Sequence, residues 1–290
     1  MSQQHQSNVN PAQEPQAAPY KDCHIEVAGI KLHYQDFGSA GKPYMICVHG
    51  GAASGHWFDF VAADFSRNYH VLAIDQRGHG DSGWARPPEY TYERYGADLD
   101  EFVHKLGIDN FVLIGHSMGG AVSLTYAANH PGRAARIVVV DTTLHMTPDR
   151  IEKLREVGNR PGRTYATREE FVSRFRLRPP DSSALPSVLR HLGECGAKQL
   201  PDGTFGHKFD RDVYALRNAV DTLPLWEKIR IPALLVKGGR SERITPEIRA
   251  MVKERCPQMQ FAEVTGADHH VTLDNPAGFV AAVNAFLAKN

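Results

Sequence analysis

The sequence lacks the features of a membrane protein, a secreted protein or a nucleic-acid-binding protein. No window of about 18 consecutive apolar residues occurs, which excludes a transmembrane helix. The first 19 residues have neither a basic start nor an apolar segment, so no secretory signal peptide is expected. Lysine and arginine number 33, and so do aspartate and glutamate. Because binding to nucleic acid or to an acidic membrane depends on an excess of basic residues, a net charge of zero argues against both partners.

Cysteine is also scarce, with four residues at positions 23, 47, 195 and 256. None belongs to a Cys-x-x-Cys pair, and their spacing matches no zinc site. Four separate thiols without a secretory signal predict reduced cysteines and a cytoplasmic location. A chain of 290 residues buries about three-quarters of its unfolded surface, so its core needs neither a disulfide nor a metal.

Composition divides the chain into a tail, a core and an insertion. Residues 1–19 are mostly Gln, Asn, Ser, Pro and Ala, which predicts a disordered tail. In residues 20–141 and 211–290, apolar runs of strand length alternate with helical stretches, which predicts the core. Residues 142–210 interrupt this alternation with a helical pattern rich in Arg and Pro. We expect this segment to form a helical cap over the ends of the strands.

The core pattern predicts the α/β class with a mostly parallel sheet. Runs such as Tyr44–Val48, Phe111–Ile114 and Ile137–Val140 are apolar throughout and are separated by helical stretches. Such strands are covered by helices on both faces of the sheet. A β-hairpin predicted over residues 24–35 adds antiparallel strands at one edge. The ligand site is then expected at the carboxyl ends of the strands.

A candidate nucleophile follows one of these strands. The motif Gly115-x-Ser117-x-Gly119 stands between the strand Phe111–Ile114 and a helix predicted at Met118–Asn129. This sharp turn projects the serine hydroxyl above the sheet, and its close packing requires small residues at both glycine positions. The helix directs its free N–H groups at the point where negative charge develops. Ser117 is therefore the candidate nucleophile.

An oxyanion hole needs backbone N–H groups from two places. Met118, the residue after the serine, offers the first. The second is expected from the small-residue loop over residues 49–55, because it lets the backbone approach a ligand closely. We favour Gly51 as this donor, with Ala52 as the alternative.

The candidate general base lies near the end of the sequence. Two adjacent histidines, His269 and His270, follow the strand predicted at Phe261–Val264 and precede the helix predicted at Pro276–Leu287. A histidine at this point can reach Ser117, take its proton and deliver it to the leaving group. We favour His269 as the base and His270 as its structural neighbour.

These motifs, in this order, resemble those of the α/β-hydrolase family. They are His49-Gly50-Gly51, Asp75-x-Arg77-Gly78-His79-Gly80-x-Ser82, Gly115-His116-Ser117-Met118-Gly119, and Gly266-x-x-His269 with Asp274-x-Pro276. The resemblance covers residues 24–289 and implies a sheet of eight strands with a helical cap after the sixth. It also implies a Ser–Asp–His triad, and it gives Asp75 and Arg77 a mainly structural role.

The triad acid departs from the family pattern. Many members carry an aspartate after the seventh strand, but the corresponding residue here is Ser241, which has no charge to stabilise an imidazolium. Two substitutes are available. Glu242 follows directly, and Asp141 stands at the end of the strand Ile137–Val140. We favour Asp141, and Glu242 remains the alternative.

The resemblance implies a carboxylesterase-like serine hydrolase that cleaves a carboxylic ester, a lactone or a related acyl bond of a small molecule. Carbon–carbon bond hydrolysis, cofactor-free haloperoxidase chemistry and a slow-turnover ligand receptor remain alternatives with the same triad. The serine nucleophile argues against haloalkane dehalogenase and epoxide hydrolase chemistry, which need an aspartate.

No metal or organic cofactor is implied, and the expected partner is the small-molecule substrate alone. The sequence does not indicate an oligomeric state. Residues 142–221 contain 14 basic and 11 acidic side chains, and this surplus of three is too small to predict an anionic substrate.

Overall fold

A computed structural model describes residues 14–219 and 221–289. The strands of these residues are β1 (Lys21–Val27), β2 (Ile30–Asp36), β3 (Tyr44–Val48), β4 (His70–Ile74), β5 (Phe111–His116), β6 (Ala134–Val140), β7 (Ala197–Gln199), β8 (Phe205–His207), β9 (Ala233–Gly238) and β10 (Gln260–Val264). Their α-helices are α1 (Asp59–Phe65), α2 (Tyr92–Lys105), α3 (Met118–Asn129), α4 (Pro148–Asn159), α5 (Arg168–Ser173), α6 (Pro186–Gly196), α7 (Asp212–Ala215), α8 (Pro246–Arg255), α9 (Val271–Asp274) and α10 (Pro276–Leu287). Short 3-10 helices cover Gly55–Phe58 and Leu223–Lys228.

Eight of the described strands form one sheet, in the order β1-β2-β4-β3-β5-β6-β9-β10. The hairpin β1–β2 is antiparallel, β2 pairs antiparallel with β4, and every pair from β4 to β10 is parallel. The predicted α/β class, the mostly parallel eight-stranded sheet and the edge hairpin are confirmed. Parallel pairing brings the carboxyl ends of β3, β5, β6, β9 and β10 to one edge of the sheet, where the candidate site residues stand.

Helices cover both faces of the sheet because its central strands are apolar on both sides. On one face, Met45 and Ile114 pack in a cluster with residues of α1 and α10, including Phe65 and Phe279. On the other face, Ile46 and Leu113 pack with residues of α2 and α3. A third cluster, around Trp226, joins β6 and β9 to α8 and the 3-10 helix at Leu223–Lys228. The strand ends are thus fixed by a core on each side.

The segment between β6 and β9 holds the predicted cap and differs from it in two respects. It contains α4, α5 and α6 as expected, but it also contains the small antiparallel hairpin β7–β8. It continues past residue 210 through α7, which packs against α4. We call residues 142–219 the insertion. The sequence did not reveal the hairpin because its strands have three residues each and Lys198 and Gln199 are exposed.

The predicted tail over residues 1–19 lies mostly outside the described residues, but its last part does not behave as predicted. Ala18 is buried in the cluster with Phe58. Its backbone N–H donates to the carbonyl of Asp59 at 2.8 Å. This segment therefore packs on α1, and its small apolar residue was missed because it has no periodic neighbours. None of the described helices combines the length and apolarity that a bilayer span requires.

Candidate active site

Ser117 stands on the turn between β5 and α3, in a backbone conformation that few residues adopt. Its φ is +54° and its ψ is −116°, and its N–H donates to the carbonyl of Val140 at 2.8 Å. A positive φ in a non-glycine residue is costly and persists only where the surrounding structure fixes it. Here that surrounding structure includes the two glycines of the motif. A Cβ on Gly115 would lie 2.3 Å from the carbonyl oxygen of Gly119, and one on Gly119 would lie 2.2 Å from that of Val48.

His269 follows β10 and reaches Ser117 across the strand ends. Its Nε2 is 3.0 Å from the Ser117 Oγ, and its Nδ1 is 2.8 Å from Oδ2 of Asp141. Because a carboxylate only accepts, the imidazole donates its Nδ1–H to Asp141 and leaves Nε2 to accept from the serine hydroxyl. The structure thus brings together the predicted nucleophile, base and acid in one hydrogen-bonded chain.

Asp141 is fully buried at the end of β6, with a φ of +43°. Besides His269, its carboxylate accepts from the Ser241 hydroxyl at 2.7 Å and from the Gly238 N–H at 3.2 Å. The Nε of Arg243 lies 3.6 Å from the same carboxylate. Ser241 stands where an acidic residue was expected after β9. Its hydroxyl instead holds the carboxylate of Asp141, which follows the neighbouring strand β6.

The structure does not bring the alternatives into this chain. Glu242 is exposed to solvent. His270 points elsewhere, since its Nε2 donates to the carbonyl of Pro179 at 2.9 Å and its Nδ1 accepts from Trp57 Nε1 at 3.3 Å. The hydrogen-bonded chain from Ser117 thus includes His269 and Asp141, and neither His270 nor Glu242 takes part in it.

The loop after β3 lies directly beside the serine. A Cβ on Gly50 would be 3.1 Å from the Cβ of Ser117 and 3.2 Å from the ring of His116, so a larger residue at this position would press on the serine turn. Gly51 lines the cavities on both sides of Ser117, and Tyr214 packs against it. Met118, the other predicted donor, is the first residue of α3, where N–H groups have no acceptor within the helix.

Buried side chains hold this loop and the neighbouring turn. His49 accepts from the N–H of Gln76 at 3.0 Å. The Asp75 carboxylate accepts from the N–H of Gly55 at 2.7 Å, and Arg77 forms a buried ion pair with Asp98. These contacts match the structural role that the family resemblance gives to Asp75 and Arg77.

Burial and neighbouring charges set the protonation of the candidate base. Burial, together with Arg243, His270 and Arg150, holds the pKa of His269 well below its usual value. Burial raises the pKa of Asp141, against the opposite effects of Ser241, Gly238 and Arg243. At neutral pH the imidazole is therefore neutral, which is the form that accepts a proton.

Two cavities meet at Ser117. One has a volume of about 410 Å³ and is lined by Trp57, Trp84, Phe175 and Phe209 among others, and we call it the aromatic cavity. The second, of about 350 Å³, we call the arginine cavity. It is lined by Gly51, Tyr92, Ser117, Met118, Ala121, Thr143, Met146, Arg150, Leu154, Val157, Arg178, Pro179, Pro180, Tyr214, Arg217, Arg243 and His269. Four of these are arginines, and no described residue of this lining is acidic.

Arg217 is the most unusual residue of the arginine cavity, and sequence reasoning missed it. Its side chain is only 3% exposed, and it donates to the Met118 sulfur at 3.0 Å and to the Tyr92 hydroxyl. The guanidinium lies 4.6 Å from the centre of the Tyr92 ring, and its Nε has no hydrogen-bond partner among the described residues. A buried cation without an acidic partner is costly. Arginine has no periodic signal, so nothing in the sequence distinguished it from a surface arginine.

Comparisons with known proteins agree with this architecture. A family model for the alpha/beta hydrolase fold matches residues 43–276. The sn-1-specific diacylglycerol lipase ABHD11 of Mus musculus is 30% identical over 268 residues, which cover 87% of this chain and 83% of that protein. The 2-(acetamidomethylene)succinate hydrolase of Mesorhizobium japonicum is 25% identical over 269 residues, which cover 91% of this chain and 94% of that protein.

A solved structure matches as well. The crystal structure of E-2-(acetamidomethylene)succinate hydrolase aligns with a TM-score of 0.83 and 24% identity over 93% of this chain and all of that chain. The matched family model spans more than half of the chain, and it includes β3 to β10 with the turn that carries Ser117. The chain therefore belongs to the α/β-hydrolase fold family and is a hydrolase.

Proposed function

We propose that this hydrolase cleaves an ester-like acyl bond of a small molecule that carries a carboxylate group, through an acyl-enzyme on Ser117. The hydrogen-bonded chain from Ser117 through His269 to Asp141, at the junction of two cavities, is the observation that carries the proposal. A serine with a neutral imidazole at 3.0 Å has the partner that it needs to become a nucleophile.

The reaction has two halves. Ser117 Oγ attacks the acyl carbonyl while its proton passes to Nε2 of His269, and the C–O bond that forms carries the substrate into a tetrahedral intermediate. The N–H groups of Met118 and Gly51, or Ala52 in place of Gly51, stabilise the negative oxygen. His269 then gives the proton to the leaving group, and the acyl group stays on Ser117. In the second half, water gives a proton to His269 and attacks the acyl carbonyl. The bond to Ser117 Oγ then breaks, His269 returns the proton to Ser117, and the acid is released.

Asp141 acts on His269 in both halves. Its carboxylate keeps the proton on Nδ1, so that Nε2 faces the serine, and it stabilises the imidazolium that forms. Ser241 and the Gly238 N–H hold that carboxylate in place.

The arginines of the cavities favour an anionic substrate. Four arginines line each cavity, and because Arg178 lines both, the two cavities are lined by seven arginines in all. Asp210 is the only acidic side chain among the described lining residues. Asp210 itself is paired with Arg86. Basic side chains thus outnumber acidic ones in both linings, although the chain as a whole is neutral.

Within the arginine cavity, Arg150 and Arg217 are the groups best suited to bind a carboxylate. Neither has an acidic partner among the described residues, and burial lowers the pKa of Arg150. A carboxylate between them would accept charge-assisted hydrogen bonds and remove the cost of the unpaired charges. The succinate named for the Mesorhizobium relative is a dicarboxylate, which supports this substrate class.

One experiment tests the nucleophile. The full chain is treated with a fluorophosphonate, and the modified peptide is identified by mass spectrometry. We expect one adduct on Ser117, loss of hydrolysis of p-nitrophenyl butyrate with the adduct, and neither labelling nor hydrolysis in Ser117→Ala. An adduct without measurable ester turnover would instead support the ligand receptor. Turnover that persists in Ser117→Ala would reject the serine mechanism.

A second experiment tests the substrate class. Hydrolysis of monoethyl succinate and of ethyl butyrate, which have acyl chains of equal length, is followed by proton release at constant pH. Loss of a hydrogen bond to a charged group costs about 1.5–3 kcal/mol, or roughly 10- to 150-fold. We expect Arg150→Gln and Arg217→Gln to lower kcat/KM for the succinate ester by such a factor and to change that for ethyl butyrate less than threefold.

The exposed Arg190→Gln serves as the control and should change neither rate. Equal losses on both esters, or a wild-type preference for the neutral ester, would reject the carboxylate while leaving the serine mechanism intact. The neutral diacylglycerol named for the murine relative would then be the better model for the substrate.

A further inference from the structure

A second cluster of reactive side chains lies where α6 of the insertion meets the start of α1. It consists of His56, Asp59, His191 and Cys195, and one ligand atom from each lies within 4.8 Å of the others. None of the four lines the aromatic cavity or the arginine cavity, so the hydrolytic reaction leaves this cluster unexplained. We propose that it is a binding site for one zinc ion, which joins the insertion to the core.

The local sequence presents these residues in two pairs. His56-x-x-Asp59 spans the junction of the 3-10 helix Gly55–Phe58 and α1. His191-x-x-x-Cys195 lies on α6, where residues four positions apart share one face of the helix. Each pair supplies two donor groups that face those of the other pair, so the two pairs together form a site with four donors.

The ligand atoms lie as close together as those of a four-coordinate site, or closer. Asp59 Oδ2 lies 2.6 Å from His191 Nε2 and 2.9 Å from His56 Nδ1, and Cys195 Sγ lies 3.8 Å from His191 Nε2. Zinc bonds of 2.0–2.3 Å in a tetrahedron separate the ligand atoms by roughly 3.3–3.8 Å. Small outward movements of the side chains would therefore admit the ion.

Burial and a supporting contact keep the donors in place. Asp59 is fully buried and His56 is 6% exposed. The Gln35 side-chain amide lies 3.0 Å from the other carboxylate oxygen of Asp59 and orients it. Such hydrogen bonds behind the ligands are a regular feature of metal sites.

The donor set selects the type of ion. Two imidazoles, a thiolate and a carboxylate suit zinc, whereas magnesium and calcium prefer oxygen ligands. The four donors come from the protein, which is typical of structural zinc sites, and no substrate position is needed. Trp57, the neighbour of His56, lines the aromatic cavity and donates to His270. Zinc at this point would therefore hold α6 and one wall of that cavity together.

The test uses the untagged full chain, freed of metal with a chelator and titrated with Co²⁺ and then with Zn²⁺. We expect one equivalent of Co²⁺ to give the visible bands of a tetrahedral site and a thiolate-to-cobalt charge-transfer band in the near ultraviolet. One equivalent of Zn²⁺ should displace it and raise Tm by several degrees, as binding to the folded state alone requires.

Two variants make the assignment specific. Cys195→Ser should remove the charge-transfer band and weaken Zn²⁺ binding at least 100-fold, while Cys23→Ser, which changes a half-buried thiol outside the cluster, should leave both unchanged. His191→Gln on the partly exposed face of α6 should also weaken binding at least 100-fold, with its fold checked by circular dichroism. Absence of stoichiometric binding, or a charge-transfer band that survives in Cys195→Ser, would overturn the proposal.

Discussion

Replacement of Asp141 by asparagine tests the least expected part of the site. The amide has the volume of the carboxylate but not its charge, and it carries two hydrogens where the carboxylate only accepts. Oδ1 of Asp141 accepts from the Gly238 N–H, and Oδ2 accepts from Ser241 and His269. The asparagine of the variant can satisfy the Gly238 N–H with its oxygen, and its NH₂ group then faces both other partners.

This arrangement favours the wrong form of the base. An NH₂ group beside Nδ1 of His269 needs an acceptor, so the imidazole places its proton on Nε2 and can no longer accept from Ser117. The loss of charge also removes stabilisation of the imidazolium. Such a change can lower turnover by about 10⁴, which corresponds to about 5.4 kcal/mol of transition-state stabilisation. We therefore expect Asp141→Asn to lower kcat on p-nitrophenyl butyrate by roughly 10³- to 10⁴-fold.

Two comparison variants decide whether the effect is that of the acid. Glu242→Gln changes an exposed carboxylate and should leave kcat within twofold of the wild type. In the double variant Asp141→Asn with Ser241→Asp, a carboxylate stands at the position that many family members use. Because the Ser241 Oγ is already 2.7 Å from the carboxylate that contacts His269, we expect it to recover at least tenfold of the lost rate.

The reasoning fails if Asp141→Asn keeps more than a tenth of the wild-type kcat while Glu242→Gln loses most of it. Asp141 would then be a strand-end residue that only positions the backbone. The Tm of each variant is measured as well, and Asp141→Ala is added for comparison. If Asp141→Asn lowers Tm by as much as Asp141→Ala does, its loss of activity would point to a folding defect rather than to catalysis.

Two further outcomes follow from the site and from the first described residues. Burial and the positive charges of Arg243 and Arg150 lower the pKa of His269, so the base is still neutral somewhat below pH 6.5. The midpoint of the acid limb in the pH profile of kcat/KM should therefore lie below pH 6.5. A midpoint above pH 7 would contradict the assignment of His269 as the base. A chain that starts at residue 20 should melt about 2–4 °C below one that starts at residue 14, because it lacks the buried Ala18 and its hydrogen bond to Asp59, worth about 1 kcal/mol. Equal melting temperatures in calorimetry would show that this contact adds no stability.

The sheet and the Ser–His part of the site could be predicted because local pattern and chemistry coincide there. A run that is apolar on both faces, such as Tyr44–Val48, has few other structures open to it, and β3 has these same bounds. The glycines around Ser117 are required by contacts of 2.2–2.3 Å that any side chain would violate. The apolar strand and the Gly-x-Ser-x-Gly turn can each be recognised from a short stretch of consecutive residues.

Features assembled from distant residues could not be predicted in the same way. Charge counts along residues 142–221 average over cavity and surface, so they do not distinguish the buried Arg217 from the exposed Arg190. The cysteine spacing matched no zinc site because the other donors of Cys195 include His56 and Asp59, which lie more than 130 positions away. Only the packing of α6 on the core brings these residues together.

The end of β3 and the loop that follows it lie directly against the serine turn, with Gly119 against the carbonyls of Val48 and His49 and Gly50 against the Cβ of Ser117. The distance between the nucleophile and this loop is therefore set by close contact at the two glycines. The insertion, by contrast, contributes its part of the cavity walls through side chains such as Arg150 and Phe175. Exchange of insertion residues that do not touch Gly51, Met118 or His269 should therefore change the substrate range while these contacts keep the distance between Ser117 and the loop after β3.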